Sequence, residues 1–153
     1  MDTVVWSTPA MCMVPAADTV KENKYVTTAG RVKFRIGEFG TIVFLAPVQV
    51  SLPQGNYVLR AHLERKVPDL FGTSIQLRRA RRGNGNTDTL LSCVGVQSGT
   101  VQNNVRSSDS PAKSMKVDLD TFYYWVQVTI VNNKPATADT VNAVLGVGLI
   151  RSG

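Results

Sequence analysis

Histidine and cysteine are scarce in this chain, with one histidine and two cysteines among 153 residues. A structural zinc site needs four such ligands, and neither Cys12 nor Cys93 belongs to a CxxC or cysteine–histidine motif. A Ser–His–Asp site would have to use His62, which lies in an alternating segment with no nucleophile next to it. We therefore expect no metal site, no cofactor and no enzymatic activity.

Two further absences concern membranes and export. No apolar run approaches the ~20 residues that a membrane-spanning helix needs, so no membrane partner is expected. Residues 1–18 contain no basic segment and are interrupted by Pro9, so no secretory signal peptide is expected either. For Cys12 and Cys93, two buried or half-buried free thiols are the favoured interpretation, and a disulfide between the N-terminal segment and the rest of the chain is the alternative.

Charged residues are also few, at 18% of the chain, which argues against a coiled coil or a charged disordered segment. The length suits one domain with a substantial core. The formal net charge of +6 permits attraction to nucleic acid without establishing it.

The clearest positive feature is a pair of apolar segments, Phe122–Val131 and Val141–Ile150, which flank a polar loop. In the first segment alternate residues form one apolar face, made of Phe122, Tyr124, Val126, Val128 and Ile130. A period of two with β-branched and aromatic residues is typical of a half-buried strand. We expect both segments to be central strands of a sandwich.

Alternating segments separated by turn signals recur along the rest of the chain. They are Tyr25–Thr28, Arg31–Ile36, Thr41–Leu52, Tyr57–Arg65, Thr73–Ala80, Thr87–Val96 and Ser114–Leu119. In Arg31–Ile36 the pattern predicts that Val32, Phe34 and Ile36 point inward. No segment has a helical period. Short strands at intervals of roughly 10–15 residues predict a sandwich, a jelly roll or a barrel.

Residues 1–24 differ from the rest and are predicted to form an extended N-terminal arm, with one short strand near Thr3–Ser7. Such an arm is costly to order alone. We expect it to lie on its own sheet or on a neighbouring subunit, with Trp6, Met11 and Met13 as apolar anchors. Residues 25–153 then form the folded domain.

The order of elements resembles a known group of jelly rolls. The segments that carry the resemblance are Val48–Leu59 (with Pro53-Gln54-Gly55-Asn56-Tyr57), Ser74–Arg79, Val117–Asp120 and Leu145–Ile150. Residues 31–150 resemble the globular heads of complement and tumour-necrosis-factor-type proteins, and similar modules occur in tailed-phage virions as capsid decoration (cement) or fibre domains. The resemblance implies an antiparallel β-sandwich of jelly-roll type that assembles as a homotrimer. The N-terminal arm and the missing leader fit a virion protein better than an extracellular one.

The strongest charge cluster contains Arg78, Arg79, Arg81 and Arg82, beside the turn at 83–86. It is interpreted either as a solvated strand end that resists aggregation or as a contact for an acidic protein partner. A second basic row contains Arg31, Lys33 and Arg35, with Arg60 and Arg65 as neighbours. Nucleic-acid sites usually interleave aromatic and basic residues, and these clusters do not, so nucleic acid is not an expected partner.

Tyr123 and Trp125 lie on the opposite face of Phe122–Val131 from the apolar row. We interpret them as buried, in the core or at a subunit interface, and a glycan platform is the alternative. The resulting hypothesis is a non-enzymatic capsid decoration protein, located in the virion, that binds the major capsid protein or another virion protein. The alternative is a glycan-binding or receptor-binding module of a tail fibre or spike.

Overall fold

A computed structural model describes residues 2–28, 30–65, 71–94, 104–137 and 142–153. The strands are β1 (Thr3–Pro9), β2 (Val14–Pro15), β3 (Tyr25–Thr28), β4 (Arg31–Phe34), β5 (Gly40–Val48), β6 (Leu52–Arg65), β7 (Phe71–Arg81), β8 (Thr87–Val94), β9 (Asn104–Asp109), β10 (Lys113–Val117), β11 (Phe122–Asn132) and β12 (Asn142–Arg151). One α-helix, α1, spans Ala17–Glu22, and a 3₁₀ turn spans Ala10–Cys12. Within these residues no helix is long and apolar enough to cross a membrane.

The strands form two antiparallel sheets whose order is that of a jelly roll. The first sheet is ordered β10-β6-β12-β4-β3, with β1 also paired to β12 and β9 to β6, and the second is ordered β2-β5-β11-β7-β8. From β4 to β7 each strand enters the opposite sheet from the one before it, and β11 and β12 return to the centres of the two sheets. This is the Greek-key connectivity of a jelly roll, so the predicted fold class and the central positions of the last two strands are confirmed.

The core lies between the sheets and consists of alternate residues of the central strands. In β11, Tyr124, Val126, Val128 and Ile130 are buried and the intervening residues are not, as the alternation predicted. Central strands stabilise the sandwich because each buried large side chain contributes roughly 1.5–3 kcal/mol.

The prediction that Ile36 points into the core is wrong. Val32 and Phe34 are buried, but Ile36 is 74% exposed. The strand ends at Phe34 because the chain then enters a turn, in which the Glu38 amide donates to the Arg35 carbonyl and Gly37 adopts a positive φ of 88°. The period of two therefore stops one residue before Ile36.

The N-terminal arm joins both sheets of its own subunit. Strand β1 pairs with β12, and β2 pairs with β5 in the other sheet. Between them, Ala10 and Met13 enter the core. The predicted short strand is present as β1, and of the two predicted locations for the arm the structure has the one on its own sheets.

The prediction that no segment is helical is wrong for α1. This helix has six residues and ends at Asn23, which adopts a left-handed φ of 52°. Its buried Thr19 accepts a hydrogen bond from the Val43 amide at 2.8 Å, which fixes the helix to the edge of β5. A helix of fewer than two turns shows no measurable period in sequence and depends on such tertiary contacts.

Glycine at position 148 is required by the close approach of β1 to β12. A Cβ atom there would lie 3.0 Å from the Trp6 carbonyl oxygen, which is backbone and cannot rotate away. We expect Gly148→Ala to force β1 outward and to lower the free energy of unfolding by about 1–3 kcal/mol, as overpacking does. Urea denaturation followed by circular dichroism would measure this change.

Gly72→Ala is the matched control, since Gly72 also lies in a strand but a Cβ there meets nothing within 4 Å. It should leave stability unchanged or slightly raised. Equal destabilisation by both substitutions would contradict the close approach of β1.

Candidate functional site

The three apolar residues predicted as anchors of the arm occupy different environments. Met13 is buried in the core at 7% exposure, and Trp6 is half-buried against the core. Met11 is 60% exposed. Trp6 and Met13 thus hold the arm on its own subunit, and only Met11 is available to another molecule.

The arginine cluster and the aromatic pair, which are far apart in sequence, lie together on the outer surface. The guanidinium carbon of Arg82 is 3.9 Å from the centre of the Tyr123 ring, and that of Arg78 is 5.9 Å from the centre of the Trp125 ring. Tyr123 is 56% exposed and Trp125 is half-buried, so the interpretation that the pair is buried in the core is wrong, and burial at a subunit interface stays a prediction. We call these four residues the arginine–aromatic patch. Cation–π contacts of this kind hold arginine flat against an aromatic face.

Strand register brings the patch together. Strands β7 and β11 pair antiparallel, so that Trp125 lies opposite Arg78 and Tyr123 lies opposite Ala80. Arg82 follows the end of β7 and is fixed by its side chain, whose Nε donates to the Leu119 carbonyl at 2.7 Å. Cross-strand neighbours on one face are about 5 Å apart, within reach of these long side chains.

Arg79 lies outside the patch because alternation turns it toward the rim of the core. Its guanidinium carbon is 4.0 Å from the Phe122 ring centre, and it binds both carboxylate oxygens of Asp88, at 2.8 and 3.1 Å. The hydrogen bond from Arg79 holds the pKa of Asp88 below its usual value. Arg79 thus has a partner within its own chain, and Arg81, which is exposed, has no ring contact among the described residues.

One donor of the Arg78 guanidinium group, its Nε, has no hydrogen-bond partner among the described residues. Its Nη2 donates to the Thr87 hydroxyl at 3.3 Å, but its Nε is buried and has no hydrogen-bond partner in the described part of the chain. A buried donor without an acceptor costs about 1–3 kcal/mol. A partner that supplied an acceptor after a small rotation of the guanidinium would remove this cost, so Arg78 favours an oxyanion beside Trp125.

Two arginines of the second predicted basic group, Arg31 and Arg60, are paired with carboxylates. Arg31 binds Glu64 at 2.7 Å, and Arg60 binds both oxygens of Asp109, at 2.7 and 2.8 Å. The hydrogen bond from Arg60 lowers the pKa of Asp109. Arg65 belongs to β6, and its side chain is outside the described residues. A continuous basic surface therefore does not extend across the described part of this sheet.

His62 has a hydroxyl neighbour that the sequence did not reveal. The Oγ of Ser107, opposite it on β9, lies 3.2 Å from Nδ1 of His62. The expectation that no nucleophile lies near His62 is therefore wrong, since the cross-strand register supplies one. Among the described residues no carboxylate is hydrogen-bonded to the His62 ring, so in this part of the chain the pair lacks the third member that activates a serine.

Metal-ligating side chains do not converge in this structure. Among the described residues there is no group of three or more histidine, cysteine, aspartate or glutamate side chains placed to hold an ion. Cys12 is exposed, Cys93 is buried, and both are free thiols. The prediction of free thiols is confirmed for both cysteines, and the prediction of burial is confirmed for Cys93 and wrong for Cys12.

Comparison with known proteins gives no family. No protein-family model matches the chain, and no curated protein sequence matches it. Among solved structures, a carbohydrate-binding module from Cellvibrio mixtus lichenase 5A in complex with cellotriose is 10% identical, with 99% of this chain and 100% of that chain covered and a TM-score of 0.42.

Two other solved structures are similar to the chain. Eiger TNF from S. frugiperda is 12% identical, with 85% of this chain and 94% of that chain covered and a TM-score of 0.35. A family 29 carbohydrate-binding module is 9% identical, with 99% and 91% covered and a TM-score of 0.30. All three scores are below 0.5, so the fold assignment depends on the strand pairing and no function is inferred from these proteins.

Burial decides how Cys93 reacts. Desolvation raises the pKa of the Cys93 thiol to about 11, so little thiolate forms near neutral pH. In a Cys12→Ser variant, we expect no reaction with Ellman's reagent at pH 8 until urea unfolds the chain, and one thiol per chain afterwards. Unreduced wild-type protein in urea should give two thiols.

Rapid labelling of the folded Cys12→Ser variant would contradict the buried position of Cys93. Fewer than two thiols in unfolded, unreduced wild-type protein would show that the cysteines are linked.

Proposed function

We propose that this protein is a non-enzymatic structural component of a virion, a capsid decoration protein that acts as a homotrimer. One observation carries the proposal: two unlike surfaces are exposed on one small sandwich. One is the apolar outer side of the N-terminal arm, and the other is the cationic arginine–aromatic patch. Like copies and an acidic shell protein are the partners that these two surfaces suit.

The arm has more exposed apolar side chains than any other part of the described chain. Val4, Met11, Val14 and Val20 are 61, 60, 55 and 53% exposed, and they are half of the large exposed hydrophobic residues found in the described ranges. Exposed apolar side chains favour protein contact when they recur on one segment. Because Trp6 and Met13 already fix the arm internally, its exposed apolar side chains, which lie along both sheets, are preformed contacts for sister subunits.

The arginine–aromatic patch is assigned to the shell. Arginine, tyrosine and tryptophan are the side chains most enriched among residues that dominate binding energy. Acidic protein surface supplies acceptors for Arg78 and Arg82, whose guanidinium groups have no carboxylate partner in the described residues. Many such contacts arranged by symmetry would stabilise a particle through avidity even if each contact is weak.

Glycan binding is the second candidate, and the surroundings of Trp125 favour it. Gln127 follows Trp125 on the outer face of β11 and pairs with Gln76 of β7, so amide groups lie beside a half-exposed indole. Aromatic faces flanked by amides suit sugar rings. Against it, the Arg82 guanidinium already covers one face of Tyr123.

Light scattering at two protein concentrations tests the oligomer. We expect a mass three times the 16.6 kDa of the chain. Met11→Ser combined with Val14→Ser should reduce it to that of a monomer without unfolding, because both side chains are more than half exposed. The control is Ile36→Ser, at a more exposed residue outside the arm.

A wild-type monomer at both concentrations would contradict the homotrimer. Dissociation by Ile36→Ser, with the arm variant still trimeric, would reject the arm as the interface and leave the trimer itself intact.

Binding of poly-L-glutamate, an acidic probe, tests the patch. We expect Arg82→Ala to weaken binding about fivefold, or about 1 kcal/mol for one partly exposed charge contact, and Trp125→Ala to weaken it with the fold retained. Isothermal titration at low salt would measure both. Arg151→Ala, an exposed arginine on the other sheet, is the matched control.

Equal weakening by Arg151→Ala would mean that the probe senses only net charge. If Trp125→Ala instead abolished binding on an array of neutral glycans, and poly-L-glutamate did not bind, the glycan candidate would replace the decoration proposal.

A further inference from the structure

A cavity of about 480 Å³ lies at one end of the sandwich, between the β3–β4 hairpin and the residues that border the β11–β12 connection. Its lining includes Val26, Lys33, Arg35, Ile36, Asn132 and Asn142. Small-molecule sites usually have roughly 300–1,000 Å³. The cavity is separate from the arginine–aromatic patch, since no residue is common to both.

Neither of the two cationic residues of the cavity, Lys33 and Arg35, is paired with a carboxylate among the described residues. Arg35 donates to the carbonyl and the side-chain oxygen of Asn23, at 3.2 and 3.0 Å, and both acceptors are neutral. Lys33 has no ion pair within the described ranges, in contrast to Arg31, Arg60 and Arg79. Among the lining residues that the structure describes there is no aspartate or glutamate. Two cations that face a cavity in which the described lining is free of carboxylates attract an oxyanion.

The buried amides add hydrogen-bond donors whose present bonds are long. Asn142 is 4% exposed, and its side-chain oxygen accepts from the Thr73 hydroxyl at 2.8 Å. Its Nδ2 reaches the Gly72 carbonyl and the Asn132 side-chain oxygen only at 3.4 Å each, beyond the usual range of roughly 2.7–3.2 Å. A ligand oxygen at normal distance would be a better acceptor for this amide.

We propose that this cavity binds a small hydroxylated organic acid of about monosaccharide size. Lys33 and Arg35 hold its carboxylate, the Asn132 and Asn142 amides bond its hydroxyl groups, and Val26 and Ile36 contact its carbon skeleton. Neutral sugars lack the carboxylate that Lys33 and Arg35 would hold. Inorganic oxyanions lack the hydroxylated carbon skeleton that the amides and the apolar side chains would contact. Ile36, at 74% exposure the most exposed large hydrophobic residue of the described chain, becomes covered when the acid binds.

The experiment is a titration of ¹⁵N-labelled protein with glucuronate, followed in ¹H–¹⁵N correlation spectra. We expect saturable shifts of the Lys33, Arg35 and Asn142 signals. Lys33→Ala should weaken binding about tenfold, the effect of losing one hydrogen bond to a charged group. Arg35→Gln is a second variant for the same measurement, and unchanged dispersion of the spectrum reports the fold of each. Lys116→Ala, at an exposed lysine on β10, is the matched control.

Glucose and inorganic phosphate separate the two parts of the proposal. Both should bind at least tenfold more weakly than glucuronate, since each satisfies only one part of the cavity. If glucose bound as tightly as glucuronate, the proposed role of Lys33 and Arg35 would be wrong. If phosphate bound as tightly as glucuronate, the proposed contacts with the hydroxyl groups and the carbon skeleton would be wrong. An absence of shifts with glucuronate, or equal weakening by Lys116→Ala, would overturn the site itself. None of these outcomes depends on the trimer or on the shell contact.

Discussion

The alternation of side chains along the central strands is the constraint on which the other surfaces depend. Because Tyr124, Val126 and Val128 must fill the core, Tyr123 and Trp125 are forced to the outside of the same strand. A shift of one residue would bury the aromatic pair and expose the core face. The arginine–aromatic patch is thus a consequence of how β11 packs, and its position is as firmly determined as the core itself.

Local pattern predicted much of the fold, and its failures have physical causes. The period of two in β11 predicted which of its residues are buried, and the resemblance in turn order predicted the jelly-roll type. The prediction for Ile36 is wrong because a turn between Arg35 and Glu38 ends the strand, and a period of two does not show where a turn begins. The sequence did not predict helix α1 because the stability of this helix comes from the tertiary contact of Thr19 with β5. Period-based prediction detects repeated local geometry and does not detect contacts with distant residues.

The candidate site was only half visible in the sequence for the same reason. The arginines and the aromatic pair were each identified, but they were assigned to separate partners because about 40 residues lie between them and register between distant strands is not encoded locally. Register also explains Ser107 beside His62. Asn132 and Asn142, which belong to different sheets, instead meet where the end of β11 lies beside the start of β12, at the same cavity as Lys33. The sequence also indicated that the arm has apolar residues, but it did not show which of them are buried. Met13 packs in the core, whereas Met11 is exposed.

The central position of β12 has a consequence for the order of events during synthesis. Strand β12 pairs with β1, β4 and β6, which are synthesised much earlier. The sheet that contains these three strands therefore cannot close until β12 has emerged from the ribosome. Until then β1 and β6 present unpaired backbone edges, which are the usual sites of mispairing between nascent chains. Closing contacts of such long sequence separation fold slowly. A chain of this topology therefore gains from a chaperone that holds the early strands apart until β12 has been synthesised.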